Sequence, residues 1–456
     1  MPAKTSMARN RARILAGLML AATLLLQLSC TARRPTTIRL AGDKWFLTSL
    51  VKTGLLADFE KHSGIHVDII YKNDEAIMRD LDGSAAGAQR YDVVVMRHRF
   101  LGALVAKQQV QPIEGYLSDR ALHDNGFVPE EQLYSNWWHG LASYRGHAYG
   151  YPFTGLTTYL CYRKDMLDDA ENQRRYKARY HQELKPPATW EQYARVAAFF
   201  TRPDEHFYGT YVQGKQGLAL WYEWLSFIYA FGGDILDTRH GSEYGDIVVN
   251  SPENVAATEE YVSLIKSSPP DTLSYGWNEA QSALQQGHVY MGILWSDQAP
   301  FLEDASVSKV AGKIGYRLLP SDTGSPVSQM EGLISLLPAN ASHPKEAYRW
   351  MEWATSSTVQ IQQTLHGGGS LRRSTYDDAG VQALPYTPTF LKSLPVAREK
   401  PTIPESDEIT RRAEVRLSDA VRGKSTPKAA LDGLALDLQQ ILGHRGRLKF
   451  AVTTTP

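Results

Sequence analysis

The sequence predicts an α/β protein in which parallel strands alternate with helices, and two observations predict it. Between residues 37 and 107, short β-branched runs alternate with segments of helical periodicity, an order that implies parallel strands joined by crossover helices. The 456 residues are 43% hydrophobic and 21% charged, ordinary for a globular chain. At about 150 residues per domain they suggest two or three domains, each large enough to bury a core.

The run "TIRLAG" at 37–42 reads as a strand, 44–62 as an amphipathic helix and "IHVDIIY" at 65–71 as a second strand. A helix near 74–82, the strand "YDVVVM" at 91–96 and a helix over about 98–107 follow. In such sheets ligands sit beyond the carboxyl ends of the strands, here near residues 43–45, 73–75 and 97–99. A second region starts after "YGYPFTG" at 149–155, where Gly and Pro interrupt the pattern ahead of a β-branched and aromatic run over 157–162. Its helices are well punctuated: Thr189 and Gln192 fit a capping box, and Ser251-Pro252-Glu253 gives an N-cap, a first-turn proline and an acidic first turn. Thr426-Pro427 opens a late helix, with Leu431, Leu434, Leu438 and Leu442 recurring at spacings of three and four.

The first 30 residues read as an export signal. Lys4, Arg9, Arg11 and Arg13 precede an apolar run over 14–28, shorter than the roughly 20 residues of a permanent spanning helix. The ending "LLLQLSC" resembles a bacterial lipoprotein signal. Residues 1–29 would then be the signal peptide, Cys30 the lipidated first residue of the mature chain, and 30–36 a short tether to the membrane. Gln27 departs from that pattern, which prefers an aliphatic residue there, and plain secretion with cleavage nearby is the alternative. Of the two cysteines only Cys161 then remains, so no disulfide framework holds the fold. The chain has 49 basic and 49 acidic residues, and losing the four basic ones of the leader makes it mildly acidic, which disfavours nucleic acid as a partner.

Further segments carry a resemblance. "LLADFEKHSGIHVDIIY" and "YDVVVM" are followed by "GHAYGYPFTGLTTYLCYRKDML", "PPATWEQYARVA", "FGGDILD", "GHVYMGILWS" and "NASHPKEAYRWMEW". In this order, over roughly residues 37–445, they resemble the bacterial extracellular solute-binding proteins of family 1, the sugar-binding components of ABC importers, similar to maltose-binding protein. Arg163 stands where the family commonly has Asn, and Trp350 takes a usual Phe position. The resemblance implies two lobes, each a mostly parallel sheet flanked by helices, with the ligand in the cleft between them. Lobe one is expected at 36–150 plus 318–353 and lobe two at 152–316 plus 358–456, joined at the Gly150-Tyr151-Pro152 crossing. It also implies a monomer that binds a carbohydrate, a di- or oligosaccharide, without a cofactor, and delivers it to the transmembrane subunits of a permease.

Ten Trp and 24 Tyr suit a sugar site, since an aromatic face receives pyranose C–H groups while nearby polar groups hold the hydroxyls. Trp45, Trp221, Trp224, Trp277 and Trp295 fall at expected loops or strand ends and are taken as ligand contacts. Trp190, Trp350 and Trp353, on helices, are read as core; Trp137 and Trp138 fit either place. The resemblance adds Phe153 at the crossing, Arg97 after the third strand, Asp297, Glu331, and Arg372 after "GGGS". Each has a plainer reading: a solvated helix start for Arg97, a cap or backbone role for the carboxylates. The three glycines lack the strand and Lys-Ser/Thr of a phosphate loop.

No catalytic residue is assigned, because neither a Gly-x-Ser-x-Gly elbow nor a His-Glu-x-x-His helix occurs. No metal site is expected either, since Gly64 breaks the helix that would align His62 with His66. A secreted glycoside hydrolase is the enzyme alternative, because paired carboxylates need no local spacing. Polyamines, glycerol phosphates and iron are the alternative solutes.

Overall fold

Strand β1 (Thr36–Gly42) buries Ile38 and Leu40 against the sheet and leaves Thr37 to solvent, the alternation of a strand with two unlike faces. In the computed structural model, which describes residues 36–84, 86–123, 133–238 and 244–452, it opens the first sheet. The leader, Cys30 and the tether up to residue 35 lie outside the described residues.

The chain continues through α1 (Lys44–Lys52), α2 (Leu55–Ser63), β2 (Ile65–Tyr71), α3 (Asp74–Leu81), β3 (Val93–Arg97), β4 (Gly150–Leu156) and β5 (Thr158–Arg163). Then come α4 (Trp190–Phe200), α5 (Leu218–Ala230), α6 (Pro252–Ser263), α7 (Trp277–Gln285), β6 (Met291–Trp295), α8 (Ala299–Glu303) and β7 (Ile314–Arg317). Finally come β8 (Glu331–Leu336), α9 (Pro344–Ala354), α10 (Ser357–Leu365), α11 (Ser406–Val421) and α12 (Pro427–Leu442).

Two sheets give two lobes. The first has the order β2-β1-β3-β8-β4 and the second β6-β5-β7. β1 is parallel to β2 and to β3, as the alternation predicts. Each sheet, however, takes one strand arriving from the other lobe, and that strand runs antiparallel between its neighbours: β8 between β3 and β4, β5 between β6 and β7. The second sheet is therefore antiparallel throughout its three strands, where a mostly parallel one was expected.

The first crossing also differs from expectation. Gly150, Tyr151 and Pro152 are already inside β4, and the chain leaves the first sheet only after Leu156. The crossing residue is Thr157, fully buried, whose carbonyl accepts from Ser296 N at 2.8 Å. Pro152 is tolerated there because β4 forms the edge of its sheet.

The helix expected over 44–62 divides in two. Gly54 adopts φ of 77°, a left-handed conformation that glycine enters without a Cβ penalty, and this ends α1 before α2 begins. The N-caps hold, the Thr189 side chain accepting from Gln192 N and that of Ser251 from Asn254 N, but the capping box does not close, since the Gln192 side chain accepts from Ala188 N and not from Thr189 N. Leu431, Leu434, Leu438 and Leu442 line the buried stripe of α12.

In the core of the second lobe, Glu223 is a carboxyl on an otherwise apolar helix. Its Oε2 accepts from Gln213 N and from the Tyr261 hydroxyl, each at 2.6 Å, and its Oε1 faces Gln213 Nε2 at 3.1 Å. Burial pushes this carboxyl up to about 7, against the pull of those bonds. The folded state then holds the proton over the range where the unfolded chain has lost it, from about pH 4.5 to 7, so stability falls as pH rises through that window. Glu223→Gln, which needs Gln213 to turn its amide oxygen toward the new amide, should remove this slope. At pH 8 it should be more stable than the parent by about 1–3 kcal/mol. Urea unfolding at pH 5 and pH 8 checks it; an unchanged slope in the variant rejects the assignment.

Candidate interlobe binding site

A cavity of about 410 Å³ opens between the lobes, within the roughly 300–1,000 Å³ usual for small-molecule sites. The first lobe supplies Asp43, Trp45 and Phe46 after β1, Arg97 at the end of β3, Leu156 at the end of β4 and Glu331 at the start of β8. Tyr222, Trp277, Asn278, Gln281, Trp295, Asp297, Gln298 and Phe301 come from the second lobe. The strand-end rule holds at the ends of β1 and β3, while residues 73–75 after β2 lie outside the wall; the end of β6 also reaches the cavity.

Aromatic rings form much of the wall. Trp45 starts α1, where the Asp43 side chain accepts from its N–H at 2.8 Å and caps the helix. Its ring is 52% exposed and meets Phe301 of the opposite lobe at 5.2 Å between centroids. Trp295 is set edge-on to Tyr222 at 5.4 Å, and Trp277 is tilted to the same tyrosine at 6.4 Å.

The polar groups fall into two kinds. Some are committed to the protein: both oxygens of Glu331 are taken, Oε1 by His98 Nδ1 at 2.6 Å and Gly332 N at 3.0 Å, Oε2 by Lys400 Nζ at 2.5 Å and by the Tyr222 hydroxyl. Burial works against its charge, but Lys400 and His98 outweigh that and hold the carboxyl well below its usual range. Glu331 is thus the centre of a buried ion cluster that touches the cavity, rather than the open acceptor expected of it.

Other groups face the cavity with capacity to spare. Arg97 donates from Nη1 to Asp74 at 2.8 Å, which orients the guanidinium; burial opposes its charge and Asp74 more than restores it. Asp297 has a buried Oδ1 with no hydrogen-bond partner among the described residues. Its carboxyl is pushed up to about 6 by burial, partly offset by the Arg97 charge. Gln298 accepts from Trp295 N at 3.2 Å and donates to Trp277 O and Gln281 Oε1, fixing three wall residues together.

Of the residues expected at the site, Trp45, Arg97, Trp277, Trp295, Asp297 and Glu331 meet at the cavity. Four others lie elsewhere. Trp221 and Trp224 belong to α5, buried along nearly its whole length. Trp224 donates from Nε1 to Thr258 at 2.8 Å and stacks with Trp221 at 5.5 Å, so both rings are core. Phe153 is buried in β4 and stacks on Trp350 at 6.2 Å, lining a neighbouring compartment instead. Arg372 donates to Thr355 O and Ser374 Oγ, each at 3.1 Å, and so anchors its own loop.

The glycines before Arg372 serve packing. Gly155 N donates to Gly369 O at 2.7 Å, and a Cβ at Gly369 would lie 2.1 Å from the Gly155 carbonyl oxygen. Trp137 and Trp138 are buried with Trp190 and Trp350. His66 pairs with Glu60 at 2.7 Å, and no cluster of metal-ligating side chains occurs among the described residues.

Sequence reading missed Tyr222, Asn278, Gln281 and Gln298. Asn278 and Gln281 are three apart on α7, next to Trp277, a polar pair on one helix face that could have been found. Tyr222 left no such signal, since α5 is buried on every side and carries no polar face.

The model for the bacterial extracellular solute-binding protein family matches residues 47–361. The Mannitol-binding protein of Pseudomonas aeruginosa is 28% identical over 353 residues, which is 72% of this chain and 74% of that one. A solute-binding protein of Agrobacterium radiobacter K84, solved in complex with ribitol, is 25% identical with a TM-score of 0.74, covering 89% of this chain and 98% of that one. Maltose-bound T. maritima MalE3 shares the fold with a TM-score of 0.73 at 22% identity, covering 89% of this chain and all of that one.

Proposed function

The chain belongs to the bacterial extracellular solute-binding proteins, and from that premise we propose that it captures a sugar or sugar alcohol between its lobes and passes it to the permease of an ABC importer. The observation that carries this reading is the cavity wall, in which Trp45, Trp277 and Trp295 offer ring faces beside the hydrogen-bonding groups of Asn278, Gln281 and Asp297. Apolar ring faces paired with a few fixed polar groups suit a polyhydroxylated ligand. The mannitol-binding relative and the ribitol complex favour the same class.

Capture needs no chemistry. Ligand favours the closed form because only there do both lobes touch it. An affinity in the micromolar range, about −8 kcal/mol, leaves room for a few hydrogen bonds and two or three ring contacts after ordering costs. A polyamine fits less well: the Asp43 side chain already caps α1, Glu331 is saturated by donors, and Arg97 places a cation in the wall.

Thermal denaturation against a panel of hexoses, hexitols, disaccharides, polyamines and glycerol phosphate tests the reading. A carbohydrate at 100 times its Kd should stabilise the protein by about 2.7 kcal/mol and be recovered intact. Cleavage of the sugar would favour a hydrolase, and stabilisation by a polyamine or phosphate alone would reject the carbohydrate class.

The periplasm or cell surface is the location that suits this family, with a lipid on Cys30 holding a monomer near its permease. Expressing the precursor with Cys30→Ser should move it from the membrane to the soluble fraction. Continued membrane association would place the anchor elsewhere.

A further inference from the structure

One ring of the cavity wall is held from the C-terminal part of the chain. Ser328 and Gln329 pair in parallel with Ala397 and Arg398, and Met330 N donates to Arg398 O at 2.8 Å. Carried two residues further, this register sets Lys400 beside Glu331, where its Nζ stands 2.5 Å from Oε2. The chain enters the first lobe through the same segment, since Glu331 opens β8.

That segment grips Tyr222 at two points. Gln329 donates from Nε2 to the Tyr222 carbonyl and to Ser226 Oγ, which fixes this turn of α5. Glu331 accepts from the hydroxyl at the far end of the ring. Burial, and after it the Glu331 charge, push that hydroxyl well above its usual range, so it stays a donor. Lys400 acts on both partners. Against burial, its charge keeps Glu331 ionised, and an ionised acceptor makes the stronger bond. Its Nζ also lies over the Tyr222 ring, 4.8 Å from the centroid, within cation–π range.

The ring so held is the one against which Trp295 stands edge-on and Trp277 tilts. A hydroxyl that lost its acceptor would be a buried unpaired donor, and turning toward the cavity to relieve this would break up the wall. Lys400 itself is 6% exposed and forms no part of that wall.

We propose that Lys400 is a positioning residue of the binding site: through Glu331 it holds the Tyr222 ring, and with it the aromatic wall of the second lobe, in the geometry that receives the ligand. The proposal rests on the carbohydrate reading above and adds to it a residue outside the cavity.

Calorimetric titration with mannitol, ribitol and maltose, alongside thermal unfolding, tests it as a double-mutant cycle. Tyr222→Phe keeps the ring and removes the link; Lys400→Met removes the cation. With whichever sugar binds the parent, each variant should bind about three- to tenfold more weakly, the scale of one hydrogen bond. The double variant should bind no more weakly than the weaker single one, because both substitutions cut the same chain of contacts. Lys400→Gln, which keeps a donor toward Glu331 without the charge, replaces Lys400→Met in the cycle if that variant does not fold. Lowered stability with unchanged affinity in the Lys400 variant would make the residue structural only. Losses that add would mean that the two residues act separately, as they would if the Tyr222 hydroxyl bonded the sugar itself. Either result overturns the proposal while the carbohydrate reading stands. If none of the three sugars binds the parent, both fall.

Discussion

Replacing Glu331 with alanine should destabilise the protein by about 3–5 kcal/mol, the usual cost of removing one partner from a buried ion pair. The carboxylate receives Lys400, His98, the Tyr222 hydroxyl and Gly332 N–H, and Lys400 and His98 are themselves buried. Without it, Lys400 is an uncompensated charge in a site where burial already draws its pKa down, and it must lose its proton or admit water. The folded carboxyl is held below its unfolded range, so its contribution is present above about pH 4.5 and is lost as pH falls through the folded value. The cost of Glu331→Ala should accordingly be full at pH 7 and shrink in strong acid. Adding Lys400→Met to Glu331→Leu should recover part of the loss, because it removes the uncompensated charge while His98 and the Tyr222 hydroxyl stay without their acceptor. Urea unfolding of the single and double variants at pH 7 decides it. A single variant costing under about 1 kcal/mol would show that the cluster adds little to stability.

The cluster also marks what a linear reading could not reach. The resemblance puts Glu331, beside Gly332, among the ligand contacts, and it does line the cavity. Yet Lys400 lies 69 residues further along the chain, and His98 precedes it by 233. Nothing local to Glu331 reveals that its oxygens are spoken for. Strand ends were legible because a period-two pattern is local: β2 occupies the expected residues 65–71, Arg97 and Trp295 end their strands, and Trp45 follows β1 in the first turn of α1. Trp221 and Trp224 failed for the converse reason. A helix buried on every side has no face for periodicity to report, so aromatic content alone could not separate platform from core. The strand inserted from the opposite lobe into each sheet was likewise invisible, since its sense follows from where the chain crosses and not from its residues.

Trp295→Ala should weaken carbohydrate binding by about 5-fold to 150-fold, corresponding to roughly 1–3 kcal/mol for an aromatic anchor. The residue ends β6 at the point where the chain enters the cleft, and its backbone is fixed by Gln298 at 3.2 Å. Its ring lines the cavity edge-on to Tyr222 and is 8% exposed, accessible enough for contact and buried enough for truncation to cost some stability. Two tryptophan variants measured together separate these effects. Trp224→Ala removes a ring with no exposure that bonds Thr258 inside the second lobe, and it should cost about 3–5 kcal/mol of stability while leaving the affinity of the remaining folded protein unchanged. Trp295→Ala should show the opposite balance, a large loss of affinity with a smaller shift in unfolding midpoint. If Trp295→Ala behaves like Trp224→Ala, with stability lowered and affinity intact, the ring is core and the ligand lies against Trp45 and Trp277 instead.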